Sequence, residues 1–196
     1  MTISKLLLPL PLLVITSACV SLGGKAPPSM LVLTAQKSVA GGTEQTAEAK
    51  DTLVVLIPDV PRKLDTNRLP VQVNDSNIAY IKDAIWADKP ARLMQMLLME
   101  TIAASNNRLV LNEVNAGNKT EDYLAGTLLE FGIDEASKEA VVVYDAVRLQ
   151  NGKAVEKKRF EARQGLFEIT AATAGSALNT AANSIASDVA AWLKPA

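Results

Sequence analysis

The sequence predicts an α+β domain, a mainly antiparallel sheet with two main helices, at about 89–104 and 169–193, packed on it. Three observations lead there. Between Tyr123 and Ala162, two long apolar-rich runs and a third behind Asn151-Gly152 read as a three-strand meander. Leu178, Ala182, Ile185, Val189 and Trp192 recur at helical spacing, which draws one apolar stripe down a helix. Thr52 to Ile57 has no polar interruption, as in a strand buried on both faces.

Ahead of that domain stands a targeting segment. Leu6 to Ile15 is apolar, follows Lys5 and ends in Thr16-Ser17-Ala18-Cys19, the order of an export signal with small residues at its cleavage point. The run is too short to cross a bilayer, which takes about 20 apolar residues, and Pro9 and Pro11 break it. Cys19 is the only cysteine among 196 residues. Its place directly after Ala18 resembles the lipobox of bacterial lipoproteins, with Thr16 standing where Leu, Val or Ile is usual. The resemblance implies cleavage between Ala18 and Cys19, a diacylglycerol on the cysteine sulfur and an acyl chain on its nitrogen. Val20 in the next position implies sorting to the outer membrane. Two or three chains anchor a protein stably, whereas one does so only marginally. The expected organisation is a signal peptide over 1–18, a lipidated spacer over 19–29 and a single domain over 30–196.

In the spacer, Gly23-Gly24 and Pro27-Pro28 leave too little apolar periodicity to fold. Met30 to Ala35 reads as a first strand and Gln36 to Asp51 as an exposed loop. Pro58 ends the buried strand, and Asp59 to Arg68 is a polar connection. Leu69, Val71 and Val73 alternate as a half-buried strand, Asn74 to Asn77 turns the chain, and Ile78 to Ile81 forms another short strand. Asp88 is the expected N-cap of the first main helix, with Pro90 in its first turn and Asn106-Asn107 at its end. Arg108 to Val114 reads as a strand. Strict alternation places Tyr123, Ala125, Thr127, Leu129, Phe131 and Ile133 on one side of the next. Asp134 to Lys138 is a turn, Ala140 to Leu149 a strand, and Asn151-Gly152 the type I′ turn that folds Lys153 to Ala162 back. The second main helix carries an uncharged face of Ala172, Ser176, Asn179, Asn183, Ser187 and Ala190. Such a face suits a contact with another subunit or partner, with Asn179 and Asn183 in the interface, or simply an alanine-rich helix.

Chemistry is bounded by composition. With no histidine and one cysteine, a Cys/His zinc site, a Ser-His-Asp triad and an internal disulfide are excluded. Twenty basic against twenty-one acidic side chains leave no basic stripe for nucleic acid. No phosphate-binding or nucleophile-elbow motif occurs, and no metal site or cofactor is implied. Lys157-Lys158-Arg159 with Arg163 suits an acidic surface or lipid headgroups, or equally a solvated strand edge. Asn118-Lys119-Thr120 matches a glycosylation acceptor, which carries little meaning in an exported bacterial lipoprotein.

The buried strand before Pro58, Leu64-Asp65-Thr66-Asn67-Arg68-Leu69, Ile78-Ala79-Tyr80 leading to Trp86-Ala87-Asp88-Lys89-Pro90, Glu130-Phe131, Arg159-Phe160 and a last helix ending at Trp192 together resemble the ABC-type transport auxiliary lipoprotein family. These are the PqiC-like lipoproteins of intermembrane lipid transport. The resemblance spans about Met30 to Leu193, with Trp86 to Pro90 its most specific part. It departs at Met30-Leu31, where the family commonly has Tyr. It implies a non-catalytic auxiliary component, lipid-anchored at the periplasmic face of the outer membrane. That component docks with an MCE-domain protein and, through it, an ABC permease and ATPase. Asp65, Arg68, Tyr80, Trp86, Asp88 and Pro90 are the family-motif residues, structural or docking, and a second copy of the chain is an expected partner. The alternative is a lipoprotein that holds an acyl chain itself, between the sheet and the first main helix, where Met94, Met96 and Met99 could adapt to it.

Overall fold

A computed structural model describes residues 29–117 and 120–194. Ala18, Cys19 and the rest of the signal segment lie outside the described residues, as do the spacer up to Pro28 and Asn118-Lys119. The elements, in chain order, are β1 (Leu53–Val55), β2 (Arg68–Asn74), β3 (Asn77–Ile85), α1 (Pro90–Asn106), β4 (Val110–Leu111), α2 (Glu113–Ala116), β5 (Asp122–Asp134), β6 (Glu139–Gln150), β7 (Glu156–Gly165) and α3 (Ala171–Trp192). The α+β class and the two packed main helices are as the sequence predicts.

The sheet is mixed, and β5 is its axis. One edge of β5 carries β6 antiparallel along its whole length, and β7 continues the meander. The other edge is shared in series. β1 pairs parallel with Asp122–Leu124, Asp59 bridges Thr127, and β2 pairs parallel with Ile133–Asp134. β4 extends the sheet from β1 in parallel, and β3 extends it from β2 as an antiparallel hairpin. Antiparallel ladders hold most of the paired residues, but every junction along this second edge is parallel.

A β-bulge at Leu129 corrects the alternation expected along β5. The register steps from Leu128 opposite Tyr144 to Glu130 opposite Val143, so Leu129 is the extra residue. An inserted residue flips the faces beyond it. Leu124 and Leu128 therefore face the helices before the bulge and Phe131 and Ile133 after it, all buried, while Tyr123, Ala125 and Thr127 lie on the opposite face.

Four further boundaries differ from the sequence reading. Met30 to Ala35 contributes a single bridge, Leu31 to Trp86, because the N–H groups of Thr34 and Gln36 are taken by side chains of α3. Lys89, not Asp88, occupies the N-cap of α1, and Asp88 stands one position early, accepting from Lys89 N at 2.7 Å. Arg108 to Val114 shortens to β4 because Asn112 caps α2, accepting from Asn115 N at 2.9 Å. The Asn151-Gly152 turn is not type I′, since only Gly152 has positive φ. Gln150 O accepts from Lys153 N and the ladder resumes at Arg148–Glu156.

The core lies between one sheet face and the pair α1 and α3. Trp86, Tyr144, Phe131, Met94, Leu98 and Ile102 are among its largest fully buried side chains, and Trp86 packs on Phe131 with ring centroids 5.2 Å apart. The run in β1 is buried on both faces as expected, although Ile57 beyond it is 42 % exposed. α1 and α3 run side by side in the same direction. Gly175 near the start of α3 meets the chain just before α1, through Leu31, and Asn106 at the end of α1 donates to Ala190 O at 3.0 Å.

Where β2 crosses β5, a Cβ on Gly132 would stand 2.6 Å from the carbonyl oxygen of Pro70. Gly132→Ala must push the backbone of β2 away, at a cost of about 1–3 kcal/mol. The urea midpoint should fall with an unchanged slope, whereas Gly41→Ala, in open space, should leave it within experimental scatter.

Candidate functional site

The six family-motif residues gather at one corner, where the 3-10 turn Arg62–Leu64, the start of β2, the end of β3 and the start of α1 meet. Asp65 accepts from Lys89 Nζ at 2.6 Å. The Arg68 guanidinium lies 4.4 Å from the centroid of the Tyr80 ring, and Tyr80 Oη donates to Lys63 O at 3.4 Å. Trp86 is fully buried, its backbone N–H donating to Asn67 O at 2.7 Å and its carbonyl accepting from Asn67 Nδ2 at 3.2 Å. Asp88 pairs with Arg92 at 3.1 Å, one turn into α1, and Pro90 opens the helix where its missing N–H costs nothing. Trp86, Tyr80 and Pro90 act in packing, and Asp65, Lys89, Asp88 and Arg92 form an exposed rim of mixed charge. No catalytic geometry joins them.

The uncharged face of α3 has an occupant from this chain. Asn183, 2 % exposed, accepts from Gln36 N at 2.8 Å and donates to Thr34 O and Asn179 O, both at 2.9 Å. Asn179 accepts from Thr34 N at 2.8 Å. One turn earlier Gly175 leaves room for Leu31, whose Cδ2 would stand 2.6 Å from any Cβ placed there. Further along, Val39 N donates to Glu100 on α1 at 2.7 Å. The two asparagines expected in a subunit interface therefore hold the chain's own N-terminal segment at Thr34 and Gln36.

At the far end of the sheet is a cluster that sequence reasoning missed. Asp122, 1 % exposed, opens β5 and accepts from Arg108 at 2.8 Å, Arg148 at 2.9 and 3.2 Å and Gln150 at 3.0 Å. Arg108 also donates to Asp51 O at 2.7 Å, tying in the loop before β1. Burial pushes the Asp122 carboxyl up, but the hydrogen bonds and charges of Arg148 and Arg108 outweigh it and hold the carboxyl below its ordinary range. The cluster floors an open cleft of about 940 Å³ rimmed by Lys50, Lys153, Glu156 and Lys194. The hairpin register carried half of this signal, since Asp122 faces Gln150 and lies diagonal to Arg148. Arg108 arrives from a different element and left no local trace.

On the sheet face away from the helices, the basic run of β7 pairs within the sheet. Asp145 accepts from Arg159 at 2.6 and 2.9 Å and contacts Lys157 at 3.1 Å. The Arg159 hydrogen bonds, working against burial and helped by Lys157, lower its carboxyl to about 2. Arg163 pairs with Glu161 and Glu139, and Lys63 with Glu130. Against α1, Met94 is fully buried, Met96 is 47 % exposed and Met99 lies at the core margin, so the three methionines share no common lining. Among the described residues no helix is long and apolar enough to cross a membrane and no group of carboxylates is placed to hold a metal ion.

The fold and its side-chain clusters define a mixed-sheet α+β domain with an N-terminal segment strapped along its longest helix. The chain belongs to the family of ABC-type transport auxiliary lipoprotein components, which it matches over residues 33–190. Among solved structures it is similar to protein XCC0632 from Xanthomonas campestris, of the DUF330 family, at 16 % identity and a TM-score of 0.68 over 84 % of this chain and 94 % of that one. A second, uncharacterized protein matches at 15 % identity and a TM-score of 0.64 over 77 % of this chain and 97 % of that one. Both show the fold. No curated protein matches the chain.

Removing the amide of Asn183 strands three partners. Asn183→Ala should cost about 1–3 kcal/mol and raise amide exchange at Gln36 and proteolysis within 31–36, with the meander amides unchanged. Asp122→Ala leaves the partly buried guanidinium groups of Arg108 and Arg148 without their shared carboxylate, and should cost about 3 kcal/mol or somewhat less in urea unfolding. A carboxyl lowered on folding stabilises the native state above its unfolded value of about 3.9 and loses that contribution as pH falls through the folded value. Stability should therefore drop between pH 4 and about 2, and more shallowly in Asp145→Asn than in the parent.

Proposed function

We propose that this chain is a non-catalytic adaptor of an ABC-driven intermembrane lipid transport system. In this reading it is lipidated on Cys19, held at the periplasmic face of the outer membrane and docked to an MCE-domain protein. The family match across 33–190 carries the proposal, since it describes an auxiliary lipoprotein component. The structure supports an adaptor in two ways. Its N-terminal segment is fastened to α3 and α1 by four side-chain hydrogen bonds, so a pull on an anchor is taken up by the core and not by a loose arm. At its motif corner Asp65 pairs with Lys89 and Asp88 with Arg92, and the charged groups of the outer sheet face pair with one another, which suits a positioning or docking role. Self-association through Asn179 and Asn183 loses its basis, because both already have partners within the chain.

Cross-linking of the full-length protein in its native membrane, followed by mass spectrometry of what is joined to it, tests this reading. Capture of an MCE-domain protein is the expected result. Capture of copies of the chain alone, with stoichiometric lipid retained after purification, would overturn it in favour of a lipid carrier. Cys19→Ser should move the protein from the membrane pellet to the supernatant while leaving its unfolding midpoint unchanged.

A further inference from the structure

Phe167 is 99 % exposed, in the short connection between β7 and α3. A bare aromatic ring in water is unusual when its neighbours are held. Leu166 beside it packs against the core and its N–H donates to Lys138 O at 2.8 Å, while Ile169 on the other side is also drawn inward. Thr170 then caps α3 through a capping box with Thr173. The ring is thus presented outward by a connection fixed at both sides.

The position of Phe167 in the domain gives the ring its partner. The N-terminal segment reaches the folded domain at Leu31, which is seated on Gly175 in the second turn of α3 and bridges Trp86 just before α1. From there it runs along α3 past Asn179 and Asn183 toward the cleft at the other end. The connection holding Phe167 leads directly into the same end of α3. Met30 and Val32, flanking Leu31, are 58 % and 55 % exposed. Three exposed apolar side chains therefore mark the end of the domain at which the tether arrives. Cys19 lies eleven residues before Met30, so the chain allows this end to stand no more than roughly 40 Å from an anchored cysteine. The opposite end has a polar cleft, with Asp122, Arg108, Arg148, Lys153 and Lys194, and its exposed apolar side chains, Leu149 and Val155, carry no aromatic ring.

We infer that the end of the domain carrying Phe167, Met30 and Val32 lies on the phospholipid bilayer that holds the anchor, with the Phe167 ring in the interfacial region. This rests on the lipid-anchor reading proposed above. An exposed Phe ring is favoured at the boundary between headgroups and acyl chains, and anchoring keeps it at high effective concentration there. The domain then stands with α3 leading away from the membrane and the polar cleft outermost.

The full-length acylated protein, reconstituted in phosphatidylethanolamine and phosphatidylglycerol vesicles containing acyl-brominated phospholipid, tests the orientation. Phe167→Trp is compared with the parent, whose own tryptophans set the background, and with Val155→Trp, an exposed position at the cleft end. Flotation of the vesicles reports anchoring separately. The expected result is flotation of all three proteins, with the tryptophan added at 167 quenched several-fold more than that added at 155. Flotation with no added quenching at 167, or with the greater quenching at 155, would overturn the orientation and leave the anchor reading standing. Failure to float would overturn the anchor reading and the orientation with it. Loss of quenching at 167 together with a larger assembled size would assign the ring to a second copy of the chain and overturn the bilayer contact.

Discussion

Strand β5 must be paired on both edges, and the rest of the structure follows from how that is done. A buried strand cannot leave its N–H and C=O groups without partners. β6 satisfies one edge in full. The other is satisfied by a relay: Leu56 N donates to Leu124 O, Asp59 N to Gly126 O and Leu128 N to Asp59 O, each at 2.9 Å, and β2 then takes over at Ile133. The bulge at Leu129 falls in the gap between Asp59 and β2. By turning Phe131 inward it supplies the ring on which Trp86 packs, and Trp86 in turn places β3, the bridge to Leu31 and the start of α1. One inserted residue thus connects the relay edge of the sheet to the corner where the family-motif residues gather.

From that corner the domain acquires a direction. Both main helices start at this end, and the N-terminal segment arrives there and runs the same way, with its backbone read by two asparagines of α3. A helix face with neither lysine nor glutamate leaves room for a chain to lie close, and asparagine can donate and accept at once. The peptide groups of Thr34 and Gln36, which could have entered a sheet ladder, are satisfied by side chains instead. That arrangement fixes the N-terminal segment to the core without adding a strand.

What the sequence disclosed was what depends on local periodicity. The stripe Leu178 to Trp192, the unbroken run of β1 and the three strands of the meander all follow from side chains a few positions apart, and all are present. What it concealed depends on register or on distant chain. Alternation through β5 reads as continuous because Leu129 is apolar whichever way it faces, so no composition change marks the bulge. The parallel pairing of β1 and β2 leaves no turn signature, since neither reaches β5 by a hairpin. Asp88 looks like a cap because its residue type fits, but Pro90 as the first helical residue moves the cap to Lys89. The small face of α3 reads as a contact for another subunit or partner, and the segment that lies on it comes from about 145 residues earlier in the same chain. Arg108 meets Asp122 only because β4 and β5 both lie alongside β1.

The outer sheet face explains why the ends matter more than the faces. Asp145 with Arg159 and Lys157, Arg163 with Glu161 and Glu139, and Lys63 with Glu130 neutralise one another across neighbouring strands. Charges paired in this way present little net field to a passing partner and are separated from it only at a desolvation cost. Lysines along β7, a free edge, oppose the addition of another strand there. The helix face is closed by α1, α3 and the N-terminal segment. What is left open lies at the tips: exposed Phe167, Met30 and Val32 where the N-terminal segment begins, and an open cleft over a buried aspartate that holds two arginines.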